Sequence, residues 1–287
     1  MEVIQTLILC EKPDAAAHVA QALDEDSQPL RTEAQGVPFY KATRGKETPV
    51  TCSAIGHLYA VDSKGRSTRR NYPTWVCDWK PRHMIDKKSL RLARWLSVIK
   101  SLAATSDRCI NACDYDTEGS LIGYTILRYA CGRADEKALR MKFSTMTEKD
   151  LIGAYRRLTP TLDLSQVEAG RCRHEIDWLY GINLSRILTE SALKMGNGYA
   201  TLSTGRVQGP ALKFIVDREE EIQSFAPSPF WTIDAKIQLG DQTYAVEYEK
   251  SSIPTQAQAC QIVQECENAI LTVQAVDSYQ STSEPPH

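Results

Sequence analysis

Short apolar runs that end in polar turns, each followed by a helical period, organise the first half of the chain. Residues 3–10 alternate too little for a half-exposed strand and read as a buried one, and Pro13 opens a helical period over 13–24 where its missing N–H costs nothing. Residues 37–43 and 49–55 predict a strand pair around Gly45. Residues 89–104 predict an amphipathic helix with Leu92, Trp95, Leu96 and Ile99 inward. The run 107–113 predicts a second buried strand, 120–131 its helix, and 139–143 a last strand before a helix capped by Thr147. Strands alternating with helices predict an α/β fold with a mainly parallel sheet over residues 1–159, whose ligands would lie beyond the carboxyl ends of the strands.

After Pro160 the period becomes helical, with Ile176, Leu179, Ile182, Leu184 and Leu188 on an expected core face, and a second helix opens in 202–210. From Ser228 the pattern turns to β. Residues 230–239 and 243–249 flank the hairpin signal Gly240-Asp241, 254–268 reads as a helix and 269–278 as a strand. The expected organisation is therefore an α/β domain (1–159), a mostly helical domain (160–226) and the start of a β-rich domain (227–287).

Composition changes this picture little. At 287 residues the chain exceeds the size of one typical core, and 42% hydrophobic with 24% charged residues is ordinary for a soluble protein. A net charge of −2 carries no overall nucleic-acid signature, so any basic surface must be local. One such stretch exists. Residues 64–94 hold ten Lys and Arg against Asp78 and Asp86, with Tyr72, Trp75 and Trp79 interleaved. That composition suits phosphate neutralisation and base stacking, although the aromatics also fit a core. Nine cysteines without a C-x-x-C pair favour reduced thiols and a cytoplasmic protein. No run predicts a membrane span or a signal peptide.

The candidate chemistry lies at the two strand ends. The first reads T-L-I-L-C-E-K-P, with Glu11 and Lys12 at the turn; the second reads N-A-C-D-Y-D-T-E-G-S-L-I-G, with Asp114, Asp116 and Glu118. Carboxylates this close repel one another unless a cation offsets them, and Mg²⁺ takes a few such oxygens together with waters and substrate phosphate. The same turn is equally a solvated acidic cap on a helix N-terminus.

Together the two turns resemble the Toprim domain, and the form E-K-P with D-Y-D-T-E-G-S-L-I-G is similar to archaeal-type (topoisomerase III-like) members of the type IA DNA topoisomerases. The resemblance implies Mg²⁺ held by Glu11, Asp114 and Asp116, with Lys12 and Glu118 completing the catalytic set. It also implies DNA contacts. His57 in G-H-L, by itself as much a structural histidine, would touch DNA, as would Ser144 and Thr147 after the last strand. The stretch E-A-G-R-C-R-H-E-I-D-W-L-Y-G-I-N-L-S-R resembles the family's basic block and brings in Arg171, Arg173, His174 and Asp177. Bacterial relatives carry Arg where His174 and Trp178 stand, so the phosphate clamp would fall to Arg171 or Arg173. The most specific match is L-S-T-G-R-V-Q-G-P, where Ser203, Thr204, Gly205, Arg206, Val207 and Gln208 would hold phosphate at a helix N-terminus.

The resemblance further implies a tyrosine nucleophile in a Y-P-R-T-like setting, and none of the 12 tyrosines has it. The expected reading is the N-terminal part of a type IA topoisomerase that binds single-stranded DNA. It would need a C-terminal part carrying the tyrosine, as a truncated chain, a gene fragment or one subunit of a split enzyme. A fourth carboxylate usual in bacterial relatives is Ser120 here. Two other readings compete: a self-contained Toprim nuclease or primase, against which S-T-G-R-V-Q argues, and a non-catalytic single-strand-binding subunit.

Overall fold

The apolar run at the start of the chain forms β1 (Ile4–Cys10), and Pro13 begins α1 (Pro13–Leu23). This is a computed structural model describing residues 4–65, 72–196, 201–267, 269–270 and 272–282. Arg66, Arg69 and Arg70 of the basic stretch, and most of the loop before residue 201, lie outside the described residues. β2 (Leu30–Ala34) and β3 (Val37–Lys41) form a hairpin whose turn residues Gln35 and Gly36 both take positive φ, and β4 (Glu47–Ser53) follows. β5 (Tyr59–Ser63) and β6 (Cys77–Pro81) pair as a separate antiparallel ribbon. Then come α2 (Arg82–Ile85), α3 (Leu92–Ala104), β7 (Arg108–Asn111), α4 (Thr117–Tyr129), β8 (Leu139–Arg140), α5 (Glu148–Arg156) and the long α6 (Leu164–Lys194). α7 (Gln208–Ser224), β9 (Asp234–Leu239), β10 (Gln242–Glu247) and α8 (Gln256–Cys266) complete the order.

The six-stranded sheet runs β2-β3-β4-β1-β7-β8. β1 is parallel to both β4 and β7, and β7 to β8, as the α/β pattern predicts. β2 and β3 are antiparallel, because their connections are too short for a parallel crossover. β1 is buried on both faces. Leu7 and Leu9 pack with α3 and α4, while Ile8 and Cys10 pack with α1 and α5. Each fully buried Leu or Ile there contributes about 1.5–3 kcal/mol. In-register pairing of Leu9 with Asn111 ends β1 and β7 side by side, so their following turns emerge at one edge.

Several expected elements differ. The last sheet strand is two residues, not five, because the backbone after Arg140 leaves the sheet once Met141 N–H has bonded to Asn111 C=O. None of the five apolar residues expected on the core face of α6 is fully buried. Val167 and Gly170 are buried where the helix meets α4, but Ile176, Leu184 and Leu188 are 37%, 40% and 43% exposed. The strand expected over 269–278 is absent from the described residues there. Ile270 is 96% and Val276 83% exposed, so this segment has neither a pairing strand nor an apolar surface to lie on.

The chain divides into two compact units, Met1–Lys213 and Phe214–His287. The second contains the β9–β10 hairpin and α8, with Ile253 buried where it bridges Trp231.

Candidate active site

The two turns meet as the parallel register requires. Lys12 Nζ lies 2.8 Å from Asp114 Oδ2 and 3.6 Å from Glu11 Oε1, so one ammonium serves a carboxylate from each turn. Glu11 is mostly buried and its carboxyl is raised above the usual range, first by burial and then by the charge of Asp114; Lys12 lowers it in part and Asp116 raises it further. Asp116 caps α4, with Oδ1 accepting from Gly119 N–H at 2.7 Å. The cap expected of the acidic turn is thus supplied by Asp116, and the cluster of Glu11, Asp114 and Asp116 still carries more negative charge than Lys12 offsets.

Gly119 makes this closeness possible, though not as a flexible turn residue. It lies inside α4, where an added Cβ would sit 2.4 Å from Asp114 O and 2.9 Å from Glu11 Oε2. Gly123 likewise lets α4 cross Asn111, whose side-chain Nδ2 would be 2.2 Å from a Cβ there. Glycines at both ends of G-S-L-I-G thus seat the helix directly on the strand end. Between them Ser120 is buried and donates to Gln166 Oε1 on α6 at 2.7 Å, so a carboxylate there would face a side-chain acceptor without solvent.

Arg140, which no sequence motif marks, is the residue that holds the acidic turn in place. It is fully buried, and its guanidinium donates to the carbonyls of Asn111 (3.0 Å), Cys113 (2.8 Å), Met141 (3.1 Å) and Asp114 (3.0 Å). Burial lowers its pKa, against the pull of neighbouring Cys113 and Asp163. In sequence it is only a basic residue inside an apolar run. A charged residue at an expected core position was the available signal.

Glu118 turns away from the cluster. Its Oε2 lies 2.8 Å from His57 Nε2 and 2.9 Å from His174 Nε2, and its Oε1 lies 3.4 Å from Arg173. The hydrogen bonds from His174 and His57 outweigh the effect of burial and lower the Glu118 carboxyl. His57 is lowered, chiefly by burial. The structure thus gathers four of the residues named from sequence, but into a second constellation beside the first.

The basic block is split. Residues two apart on a helix diverge by about 200°. Arg173 accordingly faces Glu118, whereas Arg171 pairs with Glu168 at 2.9 Å and Glu175 at 3.6 Å, so they do not make one clamp. Arg206 Nε lies 2.5 Å from Asp177 Oδ1, linking the segment before α7 to α6. That segment is also laced to α6 through backbone. Ser185 Oγ donates to Thr204 O at 3.1 Å and accepts from Thr204 N–H at 3.0 Å, and Thr189 Oγ1 does the same with Leu202. Ser203, Arg206, Val207 and Gln208 are left exposed, with Gly205 half-buried beside them. Ser144 lines a cleft of about 300 Å³ with Asp114, Tyr115, Asp116, Phe143 and Met146. Thr147 caps α5, accepting from Asp150 N–H at 3.3 Å, and is outside that cleft's lining. Trp79 is core, and its indole donates to Glu175 at 3.0 Å; Trp75 is exposed.

A family model described as Toprim domain matches residues 6–146, and one described as DNA topoisomerase matches residues 161–287. A DNA topoisomerase 1 of Pyrococcus horikoshii is 41% identical over 98% of this chain and 40% of its own length. One of Pyrococcus furiosus is 40% identical over 98% of this chain and 26% of its length. A DNA topoisomerase 3 of Haemophilus influenzae is 30% identical over 80% of the chain and 35% of its length. The chain thus spans about two-fifths or less of these relatives. Among the described residues, no helix is long and apolar enough to cross a membrane.

Proposed function

The chain belongs to the type IA DNA topoisomerases, and from that premise we propose that it forms the Toprim and strand-binding part of an enzyme that cuts, passes and reseals single DNA strands with Mg²⁺. The observation that carries this reading is the sharing of Lys12 by Glu11 and Asp114, with Asp116 close enough to raise the Glu11 carboxyl further. Oxygen donors from two strand ends, short of positive charge even with Lys12 present, suit a hard cation. Glu11, Asp114 and Asp116 would hold it, and when bound it would offset charge on the scissile phosphate.

The chain's own groups supply the remainder. The nucleophile is a tyrosine hydroxyl that we place outside these 287 residues. Its oxygen gives up its proton to solvent and bonds to phosphorus as the bond to the leaving sugar oxygen breaks, so the phosphodiester is conserved for resealing. The raised carboxyl of Glu11 fits it to carry a proton, given to the leaving oxygen on cleavage and recovered on resealing. Lys12 Nζ, already at Asp114 Oδ2, stands ready to stabilise charge on the non-bridging oxygens. Arg140 is a positioning residue that fixes the Asp114 carbonyl from behind. The topoisomerase description over residues 161–287 favours this reading over a self-contained nuclease or primase. Nine unpaired cysteines suit a reduced, cytoplasmic setting.

Calorimetric titration of the chain with Mg²⁺ is expected to give weak binding that vanishes in Asp114→Asn plus Asp116→Asn. Asn caps helices as well as Asp does, so loss in that variant would not come from fraying of α4. Unchanged binding in the double variant would remove the metal assignment.

The chain is also expected to prefer single-stranded DNA to duplex, through the exposed Ser203–Gln208 segment, Arg173 and the Ser144 cleft. Affinity should fall steeply with salt as phosphate contacts release counterions, and Arg206→Ala should flatten the log–log salt slope by about 0.7. Equal affinity for duplex, or wild-type affinity and slope in Arg206→Ala, would count against it.

A further inference from the structure

His57, Glu118 and His174 come from the turn after β4, the first turn of α4, and α6, and their ligating atoms all lie within 4.8 Å of one another. Strand cutting at Glu11 and Asp114 does not need two imidazoles on one carboxylate oxygen. We propose that this trio binds a borderline divalent transition ion, of the class of Zn²⁺ or Co²⁺, at a site separate from the oxygen-only cluster suited to Mg²⁺. The inference goes beyond the strand-cutting reading and does not depend on it.

Two imidazole nitrogens and one carboxylate form a donor set selective for such ions over hard Mg²⁺. Metal–ligand bonds of about 2.1 Å in tetrahedral array put donor atoms about 3.4 Å apart. The two histidine nitrogens now lie 2.8 and 2.9 Å from Glu118 Oε2, so each pair opens by only about half an ångström to admit an ion. Three elements hold the ligands in advance. The imidazole centroids are 4.8 Å apart, and Trp79 backs His174 at 5.9 Å, itself fixed by its bond to Glu175. His57 Nδ1 is buried without a partner, so what meets Nε2 alone sets that ring's tautomer. Arg173, beside the other Glu118 oxygen, is more than half exposed and can swing aside, leaving the fourth position to water or a ligand. Glu118 lies in the first turn of α4, two residues after its Asp116 cap, so filling the site would stiffen the turn that carries Asp114 and Asp116.

The test is titration of the 287-residue chain with Co²⁺ in excess Mg²⁺, read by visible absorption. One equivalent should give the d–d bands of a nitrogen–oxygen site without thiolate charge transfer. Asp114→Asn plus Asp116→Asn should leave the bands intact. His57→Ala and His174→Ala, with folding verified by circular dichroism, should weaken binding at least about tenfold. Where either variant fails to fold, imidazole NMR of the unsubstituted chain decides. Zn²⁺ should shift His57 and His174 and leave His18 and His83 unmoved. Absence of d–d bands, thiolate bands, displacement by Mg²⁺, loss in the aspartate double variant, or undisturbed His57 and His174 resonances would each overturn the proposal.

Discussion

Glu11→Ala, in the enzyme that we propose this chain forms with a tyrosine-bearing segment, is expected to lower Mg²⁺-dependent relaxation by about 10²–10⁴-fold, the range contributed by a positioned proton carrier. The reason is specific to this carboxyl. It is buried beside Asp114, which raises its pKa, so near neutrality it holds a proton more readily than an exposed glutamate does. Alanine removes both the proton and one of the oxygens around Lys12, while the segment before α7, which we propose to hold the strand, is untouched. Single-strand affinity should therefore persist while cleavage and resealing fall together. Glu11→Gln keeps the shape and should fail almost as badly, since an amide cannot exchange the proton. Relaxation within about threefold of the unsubstituted enzyme in either variant would move the proton transfer elsewhere.

The second large effect is expected at a residue that touches no substrate. Arg140→Met should cost about 3–5 kcal/mol of stability in the Met1–Lys213 unit, measured by urea unfolding. Methionine fills similar volume but leaves the carbonyls of Cys113 and Asp114 without their donor, and each buried orphan costs about 1–3 kcal/mol, while the Asn111 carbonyl keeps only Met141 N–H. Asp163 and its neighbour Lys142, which pair at 2.7 Å, would have to absorb the lost charge alone. Variant protein that remains folded should also bind Mg²⁺ less tightly, because the Asp114 turn is no longer pinned. A loss below about 1 kcal/mol would mean that the turn is held by other means.

These two residues also mark how far the sequence could be read. Glu11 was legible because everything that positions it is local: an apolar strand, a turn, and Pro13 opening a helix. The same holds for Asp114 and Asp116, and β1 and β7 do end side by side. Arg140 was not legible, since its importance depends on carbonyls contributed 27 and 29 residues earlier in the chain. Glu118 shares its spacing with the two aspartates, yet the first turn of α4 rotates it toward His57 and His174, which spacing alone cannot reveal. The β5–β6 ribbon escaped notice although Tyr59, Val61 and Ser63 are buried in alternation, because the five-residue run is short and its partner lies beyond a polar stretch. Arg171 and Arg173 were equal candidates for the phosphate clamp, and helical geometry turns them to different partners. The expected strand over 269–278 had suitable β-branched residues but no partner among the described residues; strand propensity is only realised against a neighbour.

We propose that these 287 residues carry the phosphate-handling half of a strand-cutting reaction and borrow the nucleophile. It is tested most directly by incubating a labelled single-stranded oligonucleotide with Mg²⁺ and the chain, alone or together with a tyrosine-bearing C-terminal part of a close relative, and separating covalent adducts under denaturing conditions. No adduct is expected with the chain alone, and a Mg²⁺-dependent adduct is expected on the tyrosine of the added part, lost in Glu11→Ala. A tyrosine-linked adduct formed by residues 1–287 alone, or adduct formation indifferent to Glu11, would contradict it.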